Sequence, residues 1–229
     1  MKRLSLLLAF SLGCLFPVIA QEKEEKEEKE EKADNGKNFF IGAGVQGDVY
    51  INVDAAKNFE AWKNPTFGGH VFAGKWINPK VGVRIYGEGG ALHPFFVYIR
   101  DEKEKYLAGR LDVLINVTNL VRPYSRDRFY NLIPYVGIGG AYTYDTYHRP
   151  DGAAHFSSFM FGGGLWNTFR LTDNISAFAN LGLNVVDAMF DGFAPGDIPF
   201  NGIASASIGL VYTFGKSKSK ETIQIYDKK

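Results

Sequence analysis

Apolar residues occupy every second position in eight separate segments of this 229-residue chain. In the first segment, Phe39 and Ile41 alternate with Gly42 and Gly44. A period of two residues places alternate side chains on opposite faces of a β-strand, so each segment would have one apolar face and one face of small or polar residues. The sequence therefore predicts eight strands, at residues 38–53, 66–77, 81–90, 106–118, 132–144, 158–170, 175–186 and 202–214.

The lengths and faces of these segments favour strands that span a membrane. Each has about 10 to 16 residues, enough for a tilted transmembrane strand. The apolar faces carry almost no charge, apart from Lys75 near a strand end, where its amine can reach the interface. A soluble lipocalin-like barrel or sandwich is the alternative, and it would turn the apolar faces inward. The fold class that we predict is all-β, an eight-stranded antiparallel transmembrane up-and-down β-barrel.

The N-terminus has the features of a secretory signal peptide. Lys2 and Arg3 precede an apolar stretch that ends in Ala20, and cleavage is expected between Ala20 and Gln21. The alternatives are an N-terminal membrane anchor and lipidation of Cys14, the single cysteine of the chain. With one cysteine, an intrachain disulfide and a multi-cysteine metal site are excluded.

Charged segments flank the predicted barrel. Residues 21–32 contain seven Glu and four Lys, and a segment of this composition cannot bury apolar surface. We interpret it as a flexible leader, with a partner-binding arm as the alternative. The net charge of +1 argues against a nucleic-acid partner. The predicted domains are a signal peptide at 1–20, a charged leader at 21–37, a membrane barrel at 38–215 and a short tail at 216–229.

The connections between strands alternate in length, which predicts the orientation of the barrel. Tight turns occur at 78–80 and 171–174, whereas the connection at 119–131 is long although it falls on the same side. Short turns face the periplasm in membrane barrels, so we expect both chain ends, with leader and tail, in the periplasm. The aromatic residues of the long outer loops indicate either an interfacial girdle or a binding surface for an extracellular ligand. These loops are residues 54–65, 91–105, 145–157 and 187–201.

The less apolar strand faces place charged residues inside the predicted barrel. The interior of an eight-stranded barrel is just filled by side chains, so these groups must pair with one another or meet water. We interpret them as an ion-pair network that plugs the lumen; the alternative is a narrow polar path for small solutes. The predicted lumen network consists of Asp48, His70, Arg84, Glu88, Arg110, Asp112 and Asn116, with Gln46 and Asn180 near it.

Motifs for catalysis and for metal or cofactor binding are weak. Ser157 and Ser158 lie close to His155 in the chain, which is poor support for a nucleophile with its base, and no GxSxG motif occurs. His93, His148 and His155 fall in predicted loops without HxH or HExxH spacing, so no metal site is predicted. We expect a protein without a cofactor and without enzymatic activity.

The last predicted strand resembles the terminal strand by which the barrel-assembly machinery recognises outer-membrane proteins. It carries the pattern polar-x-Gly-x-x-aromatic-x-aromatic at Ser207, Gly209, Tyr212 and Phe214. The resemblance implies that this machinery is a partner of the chain.

Residues 74–87 and 112–142 are similar to the N-terminal barrel of OmpA-like outer-membrane proteins. The resemblance extends over residues 38–215 and implies an eight-stranded barrel in the outer membrane of a Gram-negative bacterium, in contact with outer-membrane lipid and lipopolysaccharide. Members of that family often carry a peptidoglycan-binding domain after the barrel. Only 14 residues follow Gly215 in this sequence, so we do not expect anchoring to the cell wall through such a domain.

These observations predict a structural or envelope-maintenance role without catalysis. Three alternatives stay open at this point: a narrow porin-like channel for small solutes, a surface-binding or adhesion protein that acts through the outer loops, and a lipid-modifying enzyme. Conductance, binding after deletion of residues 91–105, and lipid composition would separate them.

Overall fold

Eight antiparallel strands make up most of the computed structural model, which describes residues 39–52, 65–92, 104–125, 128–144, 155–191 and 198–214. Each strand pairs with its neighbours in the chain, and β1 also pairs with β8, so the sheet closes into a barrel. The predicted eight-stranded up-and-down barrel is confirmed. The strands are β1 (Phe39–Asn52), β2 (Thr66–Trp76), β3 (Val81–Leu92), β4 (Glu104–Ile115), β5 (Tyr130–Tyr144), β6 (His155–Arg170), β7 (Ile175–Asp187) and β8 (Phe200–Thr213).

The boundaries of several strands differ from the predicted ones. The fourth strand ends at Ile115 rather than at residue 118, because the Asn116 side chain accepts a hydrogen bond from the Asn119 N–H and begins a short helix, α1 (Val117–Val121). The outer loops are shorter than predicted, since β3, β4, β6, β7 and β8 extend into the ranges 91–105, 145–157 and 187–201. Extended pairing with a neighbouring strand satisfies backbone groups that a loop would leave to water.

The connections at one end of the barrel are compact, and we call this end the turn end. In the turn between β2 and β3, the Asn78 Oδ1 accepts hydrogen bonds from the Lys80 and Val81 N–H groups, both at 2.8 Å. The long connection between β4 and β5 folds against this turn, because the Asn119 Nδ2 donates to the Pro79 carbonyl at 2.7 Å. The opposite end, where the longer loops begin, is the loop end.

Every strand has one face toward the interior and one toward the outside. The outer face is apolar: Phe67 is 82% exposed, and Ile85 and Phe159 are each 69% exposed. The inner face contains the predicted polar positions, and Asp112 is completely buried. The apolar-out arrangement is therefore the one that the structure has, rather than the apolar-in arrangement of a soluble barrel.

None of the described helices is long and apolar enough to cross a membrane.

Two apolar layers fill the interior, one near each end. On β4, the inward residues run from Tyr106 at the loop end through Arg110 and Asp112 to Leu114 at the turn end. The charged groups thus lie between the layers, and we call them the polar belt. The turn-end layer is Phe40, Phe72, Tyr86, Leu114, Ile133, Tyr135, Trp166, Phe178 and Val211. The loop-end layer is Tyr50, Leu92, Tyr106, Ala108, Ala141, Met160, Val186, Phe190 and Ile203.

Candidate functional site

The polar belt brings together residues from four neighbouring strands. Strict alternation along β1 to β4 turns these side chains inward, and each is at most 5% exposed. The six predicted lumen residues that form the belt are Asp48, His70, Arg84, Glu88, Arg110 and Asp112.

Asp112 is the centre of an ion-pair triad. The Arg84 Nε and Nη2 donate to the Asp112 Oδ2 at 2.9 and 2.6 Å. The Arg110 Nε donates to the other carboxylate oxygen, Oδ1. One buried carboxylate therefore serves two buried guanidinium groups, and its removal would leave both without their ionic partner.

A second branch of hydrogen bonds connects β3 and β4 to β7 across the interior. The Arg110 Nη1 donates to the Asn184 Oδ1, and the Asn184 Nδ2 donates to the Glu88 Oε1 at 2.8 Å. Asn184 is 1% exposed. Alternation puts Asn184 on the small-or-polar face of the seventh predicted strand, but it is not among the predicted lumen residues, because alternation does not show which strands face each other across a closed barrel.

Neutral donors hold the third carboxylate. The Gln46 Nε2 and the Tyr106 hydroxyl donate to the Asp48 Oδ2 at 3.0 and 2.9 Å. The Gln46 Oε1 in turn accepts from the His70 Nδ1 at 3.1 Å. This branch fixes His70 in the tautomer that is protonated at Nδ1.

Aromatic rings of the turn-end layer surround the Arg84 guanidinium. Its Cζ lies 4.5 Å from the Tyr135 ring centre, 4.8 Å from Tyr86 and 5.2 Å from both Phe72 and Trp166. A cation that lies against ring faces is stabilised by their quadrupoles, and the effect grows where water is excluded. The aromatic layer thus stabilises the buried charge of Arg84.

Asn116, the seventh predicted lumen residue, has a different position. It follows the end of β4 and caps α1, and its Nδ2 donates to the Asn131 Oδ1 at 3.3 Å. The interpretation of Asn116 as a strand residue of the lumen network is therefore wrong. The alternation continues past Ile115 in the sequence, but the chain leaves the sheet there because the cap offers the backbone another hydrogen bond.

The residues of the predicted assembly signal lie on both faces of the last strand. Ser207 is buried in the interior, and Tyr212 and Phe214 are 42% and 43% exposed. The two rings pack edge to face with centres 5.1 Å apart. Gly209 lies opposite Gly44 of β1, where the barrel closes. Recognition of these residues stays a prediction.

Some of the residues considered for catalysis or metal binding belong to the described part of the chain, and others do not. The Ser158 Oγ donates to the Phe159 carbonyl and accepts from the Asp187 N–H, both at 2.8 Å, so its hydroxyl is used in local structure. The backbone of His155 begins β6 instead of lying in a loop. Among the described residues, no group of three or more His, Cys, Asp or Glu could hold a metal ion. Outside the described residues lie His93, His148, Cys14, Ala20, Gln21, the leader, the tail and most of the outer loops.

The chain is similar to outer membrane proteins of Porphyromonas gingivalis. It is 29% identical to Outer membrane protein 40 over 239 residues, which is 97% of this chain and 60% of that protein. It is 32% identical to Outer membrane protein 41 over 73 residues, 31% of this chain and 19% of that protein. The chain thus spans less than two thirds of the length of either relative. No protein-family model matches it.

Among solved structures, the chain is similar to Neisserial surface protein A. The two share 10% identity with a TM-score of 0.51, and the match covers 77% of this chain and 97% of that one. At this identity the likeness concerns the fold. The predicted resemblance to OmpA-like barrels is confirmed at that level: the chain has the closed eight-stranded fold of the small outer-membrane barrels.

Proposed function

We propose that the protein is an integral barrel of the outer membrane with a structural, envelope-maintenance role and no catalytic activity. The observation that carries this proposal is the closed interior, in which an ion-paired polar belt lies between two buried apolar layers. On this proposal the barrel offers an apolar wall to lipid, and the buried side chains of the described residues obstruct the passage of solutes. Similarity to Outer membrane protein 40 supports the location.

The outer surface supports insertion into lipid. Val71 on β2 and Ile208 on β8 are 64% and 63% exposed, and such residues cover every strand of the wall. Charge on this face occurs at its margin: the Lys75 amine lies 5.0 Å from the centre of the Phe39 ring near the turn end. In a bilayer, the closed ring of strands also pairs the backbone groups that lipid cannot satisfy.

Both ends of the barrel chain lie at the turn end, where the Phe214 N–H donates to the Phe39 carbonyl at 2.8 Å. Short turns of outer-membrane barrels face the periplasm, so the proposal places both termini there and directs the outer loops to the cell surface. Tyr212 and Phe214 then stand at the interface on the periplasmic side, accessible to the barrel-assembly machinery, and the outer leaflet brings the wall into contact with lipopolysaccharide.

The test combines fractionation with conductance. We expect the protein in the outer-membrane fraction, a folded form whose gel mobility shifts on boiling, and no stable single-channel steps in planar bilayers. A purified chain that stays monodisperse in buffer without detergent would contradict membrane insertion.

A narrow channel is the second candidate, favoured by the charged groups in the lumen. For this candidate, stable conductance steps should occur and should disappear when Arg84 or Arg110 is replaced by a neutral residue. An extracellular ligand stays a prediction, since the loops that would bind it lie largely outside the described residues.

A further inference from the structure

Three buried polar atoms on the inner face of the barrel have no hydrogen-bond partner within the part of the chain that the structure describes. They are the Trp166 Nε1, the Asn180 Oδ1 and the Ser207 Oγ. The three residues are 2%, 4% and 6% exposed. Buried polar side-chain atoms are nearly always hydrogen-bonded, to protein or to ordered water, so three unpaired atoms in one region indicate a missing partner.

The three residues are direct neighbours on the inner face. Trp166 of β6 lies opposite Asn180 of β7, and Asn180 lies opposite Ser207 of β8. Residues directly opposite each other in an antiparallel pair have Cβ atoms about 4.5–5.5 Å apart. The next residue in the same row is Gln46 of β1, which donates a hydrogen bond to Asp48 of the polar belt. The row therefore leads from the turn-end layer to the belt.

Further polar atoms converge beside this row because Gly182 has no side chain. A Cβ atom at Gly182 would lie 2.8 Å from the Ser205 Oγ, 3.0 Å from the Tyr135 hydroxyl oxygen and 3.7 Å from the Asn180 Nδ2. Polar atoms thus lie beside Asn180, the middle residue of the three, and the site of a buried water needs such polar neighbours.

We infer that this niche binds an ordered water molecule. The Trp166 N–H can only donate and the Asn180 Oδ1 can only accept, whereas the Ser207 hydroxyl can do both. A metal ion would not suit the indole N–H, and an anion would not suit the amide oxygen. A neutral molecule that donates and accepts meets all three requirements: one water accepts from Trp166 and donates to Asn180 and Ser207.

The water site gives the turn-end layer a hydrated contact with the residues beside the polar belt. Its existence depends on the barrel fold and not on the proposed structural role. Absence of conductance would leave it standing, and detection of channels would not establish it.

Nuclear magnetic resonance of the labelled protein folded in detergent micelles tests this inference. The indole N–H signal of Trp166 is assigned by its loss in Trp166→Phe. We expect a nuclear Overhauser cross-peak between this proton and the water protons in both laboratory-frame and rotating-frame spectra. The sign of the rotating-frame cross-peak should be that of dipolar transfer, which distinguishes a bound water from chemical exchange with the solvent. A folded protein whose Trp166 signal shows no such cross-peak would overturn the inference.

Two serine variants provide a matched comparison. Ser207→Ala removes one contact of the water, and we expect the Trp166 cross-peak to fall at least twofold. Ser158→Ala alters another inward serine whose hydroxyl is bonded within the protein, and it should leave the cross-peak unchanged. Equal effects of the two variants, or none from Ser207→Ala, would count against water at this site.

Discussion

Replacement of Asp112 by Asn should destabilise the folded barrel more than any other single isosteric change in the polar belt. The Asp112 carboxylate is fully buried and accepts from both Arg84 and Arg110. Asn keeps the shape of the side chain but removes its charge. Both guanidinium groups would then stay buried without the anion that they share.

The structure allows the size of this effect to be bounded. Removal of one partner of a buried ion pair costs about 3–5 kcal/mol, because an uncompensated charge stays in the interior. Two sets of contacts reduce the cost here: Arg84 keeps its four aromatic rings, and Arg110 keeps its bond to Asn184. We therefore expect a loss near the lower limit, about 3 kcal/mol, which corresponds to more than about a hundredfold in the folding equilibrium constant.

Urea unfolding in lipid vesicles, followed by tryptophan fluorescence and by gel mobility, measures the free energy of unfolding. The matched control is Asp173→Asn, which removes a carboxylate that pairs with Arg170 at the surface and is 53% exposed. Exposed pairs contribute about 0–1 kcal/mol, so the control should unfold almost like the parent protein. Equal stability of Asp112→Asn and Asp173→Asn would refute the view that the belt depends on its charge pairing.

Three further predictions concern the wall, the interior and one tight turn of the barrel. Val71→Lys places a cation on the outer face and should lower stability in a bilayer by about 2–4 kcal/mol, measured by vesicle unfolding; an unchanged value would mean that this face does not contact lipid. Gly137→Ala should destabilise the protein by about 1–3 kcal/mol, because the new Cβ would lie 2.6 Å from the Leu111 carbonyl oxygen and 3.0 Å from the Arg110 Cγ. Gly109→Ala should be neutral or slightly stabilising, because its Cβ would meet nothing within 4 Å. The same assay compares the two variants, and the opposite order of stability would contradict the inward position of Gly137. Asn78→Ala removes the acceptor of two backbone hydrogen bonds in the first tight turn and should cost about 1 kcal/mol, and thermal unfolding that is identical to the parent's would show that the turn does not depend on this side chain.

Alternation sorted the residues of each strand into two faces, and the near absence of charge on the apolar faces indicated that these faces lie outside. Because the side-chain period of a strand is two, Phe67 and Asp48 are assigned to opposite faces from their positions in the chain without any knowledge of neighbouring strands. The same argument fixed the number of strands, since eight alternating segments separated by turns pair in order. It failed at Asn116, where a local hydrogen bond to the Asn119 N–H competes with strand pairing and ends β4 early.

The partners inside the barrel were decided by strand register and by closure. Arg84 and Asp112 lie opposite each other on adjacent strands, so their pairing follows from the order of the strands once the register is known. Asn184 and Glu88 are 96 residues apart and belong to strands that are not neighbours in the sheet; they meet because the curvature of an eight-stranded barrel brings opposite walls within reach of one hydrogen bond. The unpaired atoms of Trp166, Asn180 and Ser207 likewise become visible only in three dimensions, since a sequence shows which groups need a partner but not whether the fold provides one.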